Sequence, residues 1–150
     1  MKYPDIEQME KRLRALEDLE EIKKLQRRYM QHHDRLEFAQ ILDLFTDDAE
    51  VEVRSSGVMK GREEFRKIFL DTLGKRRLER HDGHLVGEPM ITVDGDTAAG
   101  HWTVYMLFSV PKIEWVQGRN DCEYRKVDGA WKISRLKFTR TLASSPELYP

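Results

Sequence analysis

The chain has 150 residues, of which 39% are hydrophobic and 35% are charged, and this length fits one domain, residues 1–150. Its 26 basic and 27 acidic residues give a net charge of -1, so electrostatics gives no support for a nucleic-acid partner or an anionic membrane surface. Cys122 is the single cysteine, which excludes an internal disulfide. The charged start of the chain is unlike a signal peptide, and no run approaches the roughly 18 apolar residues of a membrane span. We expect a cytoplasmic protein.

Helical periodicity marks the first part of the chain. From Asp5 to about His33, apolar residues recur at steps of three and four, which predicts a long amphipathic helix with one apolar stripe. Asp18 and Glu21 have the spacing of a capping box, so a break near Asp18 could divide this segment into two helices. Residues 5–17 then form an N-terminal helical extension.

Shorter helices and a series of strands follow. Alternation and turn signals predict strands near 49–54, 78–86, 89–94, 97–109, 113–127 and 131–141, with helices over 38–45 and 61–73 between the first strands. Helices first and a meander of long strands afterwards predict an α+β fold. We expect a curved antiparallel sheet packed against the N-terminal helices around one apolar pocket.

Two residues near the end of the long helix are candidates for the site. Tyr29 prolongs the apolar stripe, and by itself it fits a core tyrosine whose hydroxyl finds a partner. Asp34 has Glu37 three residues later, which by itself fits a capping box for the second helix.

Two histidines stand near the start of the predicted strand 78–86. Alternate residues of a strand share a face, so His81 lies with Leu85, and His84 lies on the opposite face with Val86. Two histidines that point in opposite directions do not form a joint metal site, and we expect no metal.

The last strand carries a candidate anion contact. A β-bulge near Ser134-Arg135 would bring Trp131 and Phe138 to the same face, and Arg140 would then project from that apolar face. A guanidinium there needs a carboxylate or a polar ligand. The alternative is that Arg140 extends beyond the sheet edge into solvent.

One face of the central long strand, predicted at 97–109, carries apolar residues, and this pattern indicates the wall of a pocket. Together with the last strand it supplies the expected substrate-binding residues, which are Trp102, Val104, Met106, Phe108 and Phe138. His101 and Tyr105 have the opposite parity and are left outside the site.

The sequence resembles the SnoaL-like branch of the nuclear-transport-factor-like cone fold, also called cystatin-like, from about Asp18 to Ala143. The resemblance rests on the helix end with Tyr29 and Asp34, on His81-Asp82-Gly83-His84, and on Asp128-Gly129-Ala130-Trp131-Lys132-Ile133 leading to Arg140. Within this branch it is similar to bile-acid 7α-dehydratase and scytalone dehydratase. A family carboxylate on the central strand is replaced here by Met106, and the second histidine of scytalone dehydratases is missing at Met106 or Phe108.

The resemblance implies a cofactor-independent dehydratase that eliminates water from a hydroxylated cyclic or polycyclic ketone. His81 is the expected general base, Asp34 its orienting partner, Tyr29 a hydrogen-bond donor and Arg140 an anion contact. The substrate is expected to be small, apolar and cyclic. Two alternatives stay open: a ketosteroid-isomerase-like proton shuttle, and a non-enzymatic ligand-binding module or small enzyme subunit.

The resemblance also implies a homotrimer or homodimer. An independent reason is the apolar stripe at the start of the chain, formed by Ile6, Met9, Leu13 and Leu16, which a monomer of this size would leave partly uncovered.

Overall fold

The computed structural model describes residues 5–53, 57–73 and 82–145. Its elements are, in chain order, α1 (Ile6–Asp34), α2 (Phe38–Leu42), β1 (Phe45–Val53), β2 (Val58–Lys60), α3 (Arg62–Arg66) with a π-helical continuation (Lys67–Leu73), β3 (Asp82–Asp94), β4 (Thr97–Phe108), β5 (Glu114–Val127) and β6 (Ala130–Ala143). None of the helices in these ranges is long and apolar enough to cross a membrane. Helices followed by a curved sheet confirm the predicted α+β class.

The sheet has the strand order β2-β1-β6-β5-β4-β3. Pairs β3/β4, β4/β5 and β5/β6 form the predicted antiparallel meander. However, β1 pairs in parallel with β6, so the sheet is mixed and not wholly antiparallel as predicted. Alternation within residues 49–54 indicates a strand, but it contains no information on the direction of a partner that lies about eighty residues later in the chain.

Two predicted boundaries are wrong. The two strands predicted at 78–86 and 89–94 form one strand, β3, whose pairing with β4 shifts between Gly87 and Met90. Phe45 does not end a helix; it begins β1, opposite Ile133 of β6, and is fully buried. The core position of Phe45 in the sheet therefore shortens α2 to five residues.

Helix α1 is continuous through Asp18, so the predicted division into two helices is wrong. Its N-cap is Asp5, whose side chain accepts a hydrogen bond from the Gln8 amide at 2.8 Å. The Asp18 carboxylate instead accepts from Trp131 Nε1 at 2.8 Å and lies 2.7 Å from Lys126 Nζ. Burial opposes ionisation of Asp18, but these hydrogen bonds and the Lys126 charge outweigh it and lower its pKa. Asp18 is thus a tether between α1 and the sheet.

The apolar residues of α1 form two faces and not the single predicted stripe. Ile22, Leu25 and Tyr29 are buried against the core, whereas Leu13 and Leu16 are 57% and 61% exposed. The reason is the run of consecutive steps of three from Leu13 to Leu25. Each such step turns the side chain by about 300°, which is about 60° short of a full turn. The stripe therefore rotates around the helix.

The β-bulge predicted near Ser134-Arg135 is confirmed. Tyr124 pairs with Ile133 and Glu123 with Arg135, which leaves Ser134 as an extra residue in β6. Because of this bulge, residues of both parities on β6 reach the inner face of the sheet. Trp131, Ile133 and Leu136 are all buried there.

Candidate functional site

A hydrogen-bonded pair, Asp34 and His84, joins the C-terminal end of α1 to the beginning of β3. One carboxylate oxygen, Oδ1 of Asp34, accepts the backbone N–H of His84 at 3.0 Å and lies 2.8 Å from Nδ1 of its ring. The same oxygen thus holds both the main chain and the side chain of His84. Two bonds on one acceptor fix the position of the ring relative to α1.

The pair determines which ring nitrogen of His84 carries the proton. An ionised carboxylate only accepts hydrogen bonds, so Nδ1 must be the protonated nitrogen when it bonds to Asp34. The lone pair of the neutral ring then lies on Nε2. This is the tautomer in which a histidine can take a proton from another molecule while a carboxylate stabilises the resulting charge.

The ring of His33 contacts the His84 ring, and the His84 side chain is 7% exposed. The His33 ring lies 5.4 Å from it, centroid to centroid, at an interplanar angle of 39°. His33 in turn makes edge contacts with Tyr29 at 4.7 Å and with Phe69 at 5.7 Å. Asp34, with 37% of its side chain exposed, lies at the outer end of this group. The His84 side chain is therefore largely shielded from water, whereas the Asp34 carboxylate stays partly accessible.

Among the described residues, His84 is the histidine that contacts Asp34. His81, the expected partner and base, lies outside the described residues. Within β3, Leu85 is 61% exposed, and His84 lies on the other face. The alternation places His84 opposite to His81 but does not define which of the two faces is the inner one. The face of His84 packs against α1, which brings His84 to Asp34.

Asp34 does not cap the second helix. The N-cap position of α2 is Glu37, and none of the described side chains caps this helix. Glu37 instead lies 2.7 Å from Nδ1 of His32, and Asp34 is the last residue of α1. The capping alternative for Asp34 is therefore wrong. Tyr29 is 5% exposed and packs against Phe45 and Phe69, so its ring is part of the core as well as a neighbour of the histidines.

Arg140 lies on the inner face of β6. It pairs directly with Gly118 of β5, which in turn pairs with Val104 of β4, and directly paired residues share one face of a sheet. Val104 is 1% exposed. His84 pairs with Met106, two residues away from Val104 on β4. Arg140 is therefore about three strand spacings, or roughly 14 Å of backbone separation, from His84 across the sheet.

The expected wall residues lie on this same inner face. Trp102 is 3% and Phe108 8% exposed, and Met106 and Phe138 pack against or beside the core as partly buried residues. Tyr105 is on the outer face and 40% exposed, in agreement with its exclusion from the site. Whether the inner residues contact a substrate stays a prediction.

Sequence reasoning missed a buried polar cluster deeper in the interior. Trp102 Nε1 donates to Tyr124 Oη at 2.8 Å, and Tyr124 Oη donates to Oε1 of Gln26 at 3.1 Å. Gln26 is fully buried. Burial raises the pKa of Tyr124 well above its usual value and that of the adjacent Cys122 thiol to about 12. One sequence feature could have indicated this cluster: Gln26 is a polar residue between Leu25 and Tyr29, inside the core-facing part of the α1 stripe.

Within the ranges 5–53, 57–73 and 82–145, no group of three or more His, Cys, Asp or Glu side chains could hold a metal ion. The described donors form pairs instead, such as Asp34 with His84 and Glu37 with His32. A histidine whose Nδ1 lies beside a carboxylate, as in the Asp34–His84 pair, is suited to proton transfer.

Comparisons with known proteins agree with the fold. Residues 14–137 match the family model described as a SnoaL-like domain. No curated protein matches the chain significantly. Similar solved structures include an NTF2-like protein with a cystatin-like fold from Novosphingobium aromaticivorans, with a TM-score of 0.80 and 23% identity over 97% of this chain and 96% of that one.

Two other similar structures have names that refer to a reaction. One is a protein provisionally assigned as a scytalone dehydratase, from the same organism, with a TM-score of 0.76 and 22% identity over 86% of this chain and 87% of that one. The other is a type 2 hexachlorocyclohexane dehydrochlorinase, with a TM-score of 0.76 and 21% identity over 88% and 90% of the two chains. At these identities the similarity establishes a common fold.

Proposed function

Because the chain belongs to the SnoaL-like domain family, we propose that it is a cofactor-free lyase that eliminates water from a hydroxylated cyclic or polycyclic ketone. The observation that carries this proposal is the Asp34–His84 pair, with Oδ1 and Nδ1 2.8 Å apart. Two of the similar structures are named for eliminations, of water in one case and of hydrogen chloride in the other. An elimination of either kind takes a hydrogen from carbon, so a general base is suited to it.

In the proposed reaction, Nε2 of His84 takes a proton from the carbon next to the ketone. The C–H electron pair forms an enolate, whose oxygen charge needs support from a hydrogen-bond donor or a cation. Asp34 stabilises the imidazolium that results. The enolate then re-forms the carbonyl and expels the β-hydroxyl group, which leaves as water after receiving a proton from His84. The products are the conjugated enone and one water molecule.

Tyr29 and Arg140 are proposed to support the enolate oxygen. Tyr29 lies beside His33 at the end of α1 where Asp34 is found, and Arg140 lies on the inner face of the sheet. The wall between them is apolar, which suits a cyclic carbon skeleton and keeps water away from the enolate.

The experiment uses 3-hydroxycyclohexanone and a hydroxylated decalone as probes, with enone absorbance and product mass as readouts. His84→Ala should reduce turnover by a factor of about 10² to 10⁴, the usual contribution of a positioned acid–base group. His81→Ala is the matched comparison on the same segment, because His81 is the base that the family resemblance implies. A large loss for His81→Ala with full activity of His84→Ala would contradict the assignment of the base.

The same assay separates the alternative functions. A proton shuttle of the isomerase type would give a product of unchanged mass, whereas a dehydratase product lacks one water. Deuterated water distinguishes both from a binding module, because wild-type enzyme should exchange or eliminate at the acidic carbon. Activity should also be unchanged in EDTA, since the proposed steps use protein side chains alone. A probe that binds without exchange or elimination would favour a non-enzymatic role.

A further inference from the structure

The first thirteen described residues, 5–17, are all exposed, and we refer to them as the arm. The arm contains four large apolar side chains that are 49% to 72% exposed, namely Ile6, Met9, Leu13 and Leu16. Exposed apolar residues in such a continuous row are characteristic of interaction surfaces. We propose that the arm pairs in parallel with the arm of a second copy of this chain.

The first support for a second copy is the direction in which the apolar row faces. At about 100° per residue, the mean direction of the arm's apolar row is about 150° away from that of the core-facing residues of α1, which are Ile22, Leu25, Gln26, Tyr29, Met30 and His33. The arm therefore cannot cover its row with its own domain while α1 stays straight. In a parallel pair of arms, the two apolar rows face each other, and we refer to this contact as the seam. The two domains then lie on the outer sides of the pair and do not block it.

The second support is the spacing of the row. Steps of three, four and three residues from Ile6 to Leu16 are those of the a and d positions of a heptad repeat. The row ends there, because the next a and d positions carry Glu20 and Lys23. The seam is thus confined to the part of α1 that leaves the domain.

The third support is the charge beside the seam. With Ile6 at position a, Arg12 falls at g and Glu17 falls at e of the following heptad. In a parallel pair, a g residue of one helix faces the e residue five positions later in the other. Arg12 of each copy therefore meets Glu17 of the other. Asp5, at the preceding g position, meets Glu10 and opposes pairing, but its carboxylate is bonded to the Gln8 amide as the helix N-cap. An antiparallel pair with the four apolar residues overlapped would bring Glu10 against Glu10 and Arg12 against Arg12 across the seam, and is disfavoured.

Two heptads are short for an isolated coiled coil, since isolated helices of this length are marginal in water. Here the arm is the beginning of a helix of 29 residues that the domain already holds. Its helical conformation is thus formed before association, which removes an ordering cost from binding. We expect a dimer that dissociates on dilution, with a dissociation constant on the order of micromolar, which is in the range of small interfaces.

Analytical ultracentrifugation of the full chain from 1 to 200 μM tests the pairing. Wild type should change from monomer to dimer, and Leu13→Glu should stay monomeric across the range. Ala15→Glu is the matched control, because it adds the same charge on the side of the arm opposite to the seam and should dimerise like wild type. A monomeric wild type would overturn the proposal. So would a dimer that Leu13→Glu leaves intact, since its interface would then lie elsewhere.

Orientation is tested by a cysteine on the seam. Leu13→Cys places one thiol in each arm, and in a parallel pair the two face each other in the same layer. The native Cys122 is buried, with a pKa of about 12, and should not compete. Mild oxidation should link the dimer of Leu13→Cys covalently and should leave Ala15→Cys largely unlinked. Equal linking of the two variants, or a dimer in which neither is linked, would overturn the parallel arrangement.

Discussion

Replacing Asp34 by Asn separates a catalytic role of this carboxylate from a structural one. In the structure a single oxygen, Oδ1, accepts both the backbone and the ring hydrogen bonds of His84. The amide oxygen of an asparagine can occupy the same position, with its NH₂ group directed toward the exposed side. The connection between α1 and β3 is then retained, while the negative charge is lost.

The expected effects differ in size for stability and activity. Hydrogen bonds to a charged group contribute about 1.5–3 kcal/mol when buried, and less where solvent screens the charge. Asp34 has 37% of its side chain exposed, so Asp34→Ala should lower the free energy of unfolding by about 1–2 kcal/mol and Asp34→Asn by less than about 1 kcal/mol. Turnover by Asp34→Asn should nevertheless fall by about 10² to 10⁴, because an amide does not stabilise the imidazolium and can reverse the tautomer of His84.

Urea unfolding followed by tryptophan fluorescence measures stability, and enone formation measures activity on the same preparations. Asp34→Ala serves as the control in which both the hydrogen bonds and the charge are removed. The reasoning is refuted if Asp34→Asn keeps full activity, or if its activity falls only in proportion to the fraction of unfolded protein. Either result would leave Asp34 with the task of fixing the end of α1.

Other residues give further expected outcomes. Because the folded state lowers the pKa of Asp18 from its ordinary 3.8, this residue should add stability above about pH 4 that is lost as the pH falls through the lower folded-state value. Acid titration should show that loss in wild type and not in Asp18→Asn. Gly100→Ala should cost about 1–3 kcal/mol in urea unfolding, since the new Cβ would lie 2.8 Å from the Ile91 Cα. Gly87→Ala should be close to neutral, because no atom of the described residues lies within 4 Å of its new Cβ. The Cys122 thiol, with a pKa of about 12, should react with a thiol reagent such as DTNB only after unfolding.

The sequence predicts the elements of this fold better than their partners. Strands β4, β5 and β6 lie within three residues of their predicted ends, because alternation and Asp-Gly turns are local signals. The β-bulge was also accessible, since the apolar positions change parity between Ile133 and Leu136 and one extra residue returns both to the same face. By contrast, the parallel pairing of β1 with β6 depends on contacts between distant parts of the chain, and no local pattern encodes it.

In the candidate site, too, local sequence patterns do not identify the contact partner, which here is the histidine next to Asp34. Strand alternation separates His81 from His84, but it does not state which face is turned inward. That choice is made by α1, whose last residue, Asp34, hydrogen-bonds to the main chain of His84 as well as to its ring. The identity of Asp34 as a site residue could be proposed from the chain, whereas the histidine beside it required the tertiary structure.

Helix α1 connects the two proposals through the rotation of its apolar residues. Steps of three between Leu13 and Leu25 turn the apolar side from solvent to core, so one helix presents different faces at its two ends. Its C-terminal half buries Leu25 and Tyr29 and brings Asp34 to His84. Its N-terminal half, the arm, directs an apolar row away from the domain. The Asp18 tether to the sheet lies at the junction, so variants in the arm should change association without moving the Asp34–His84 pair.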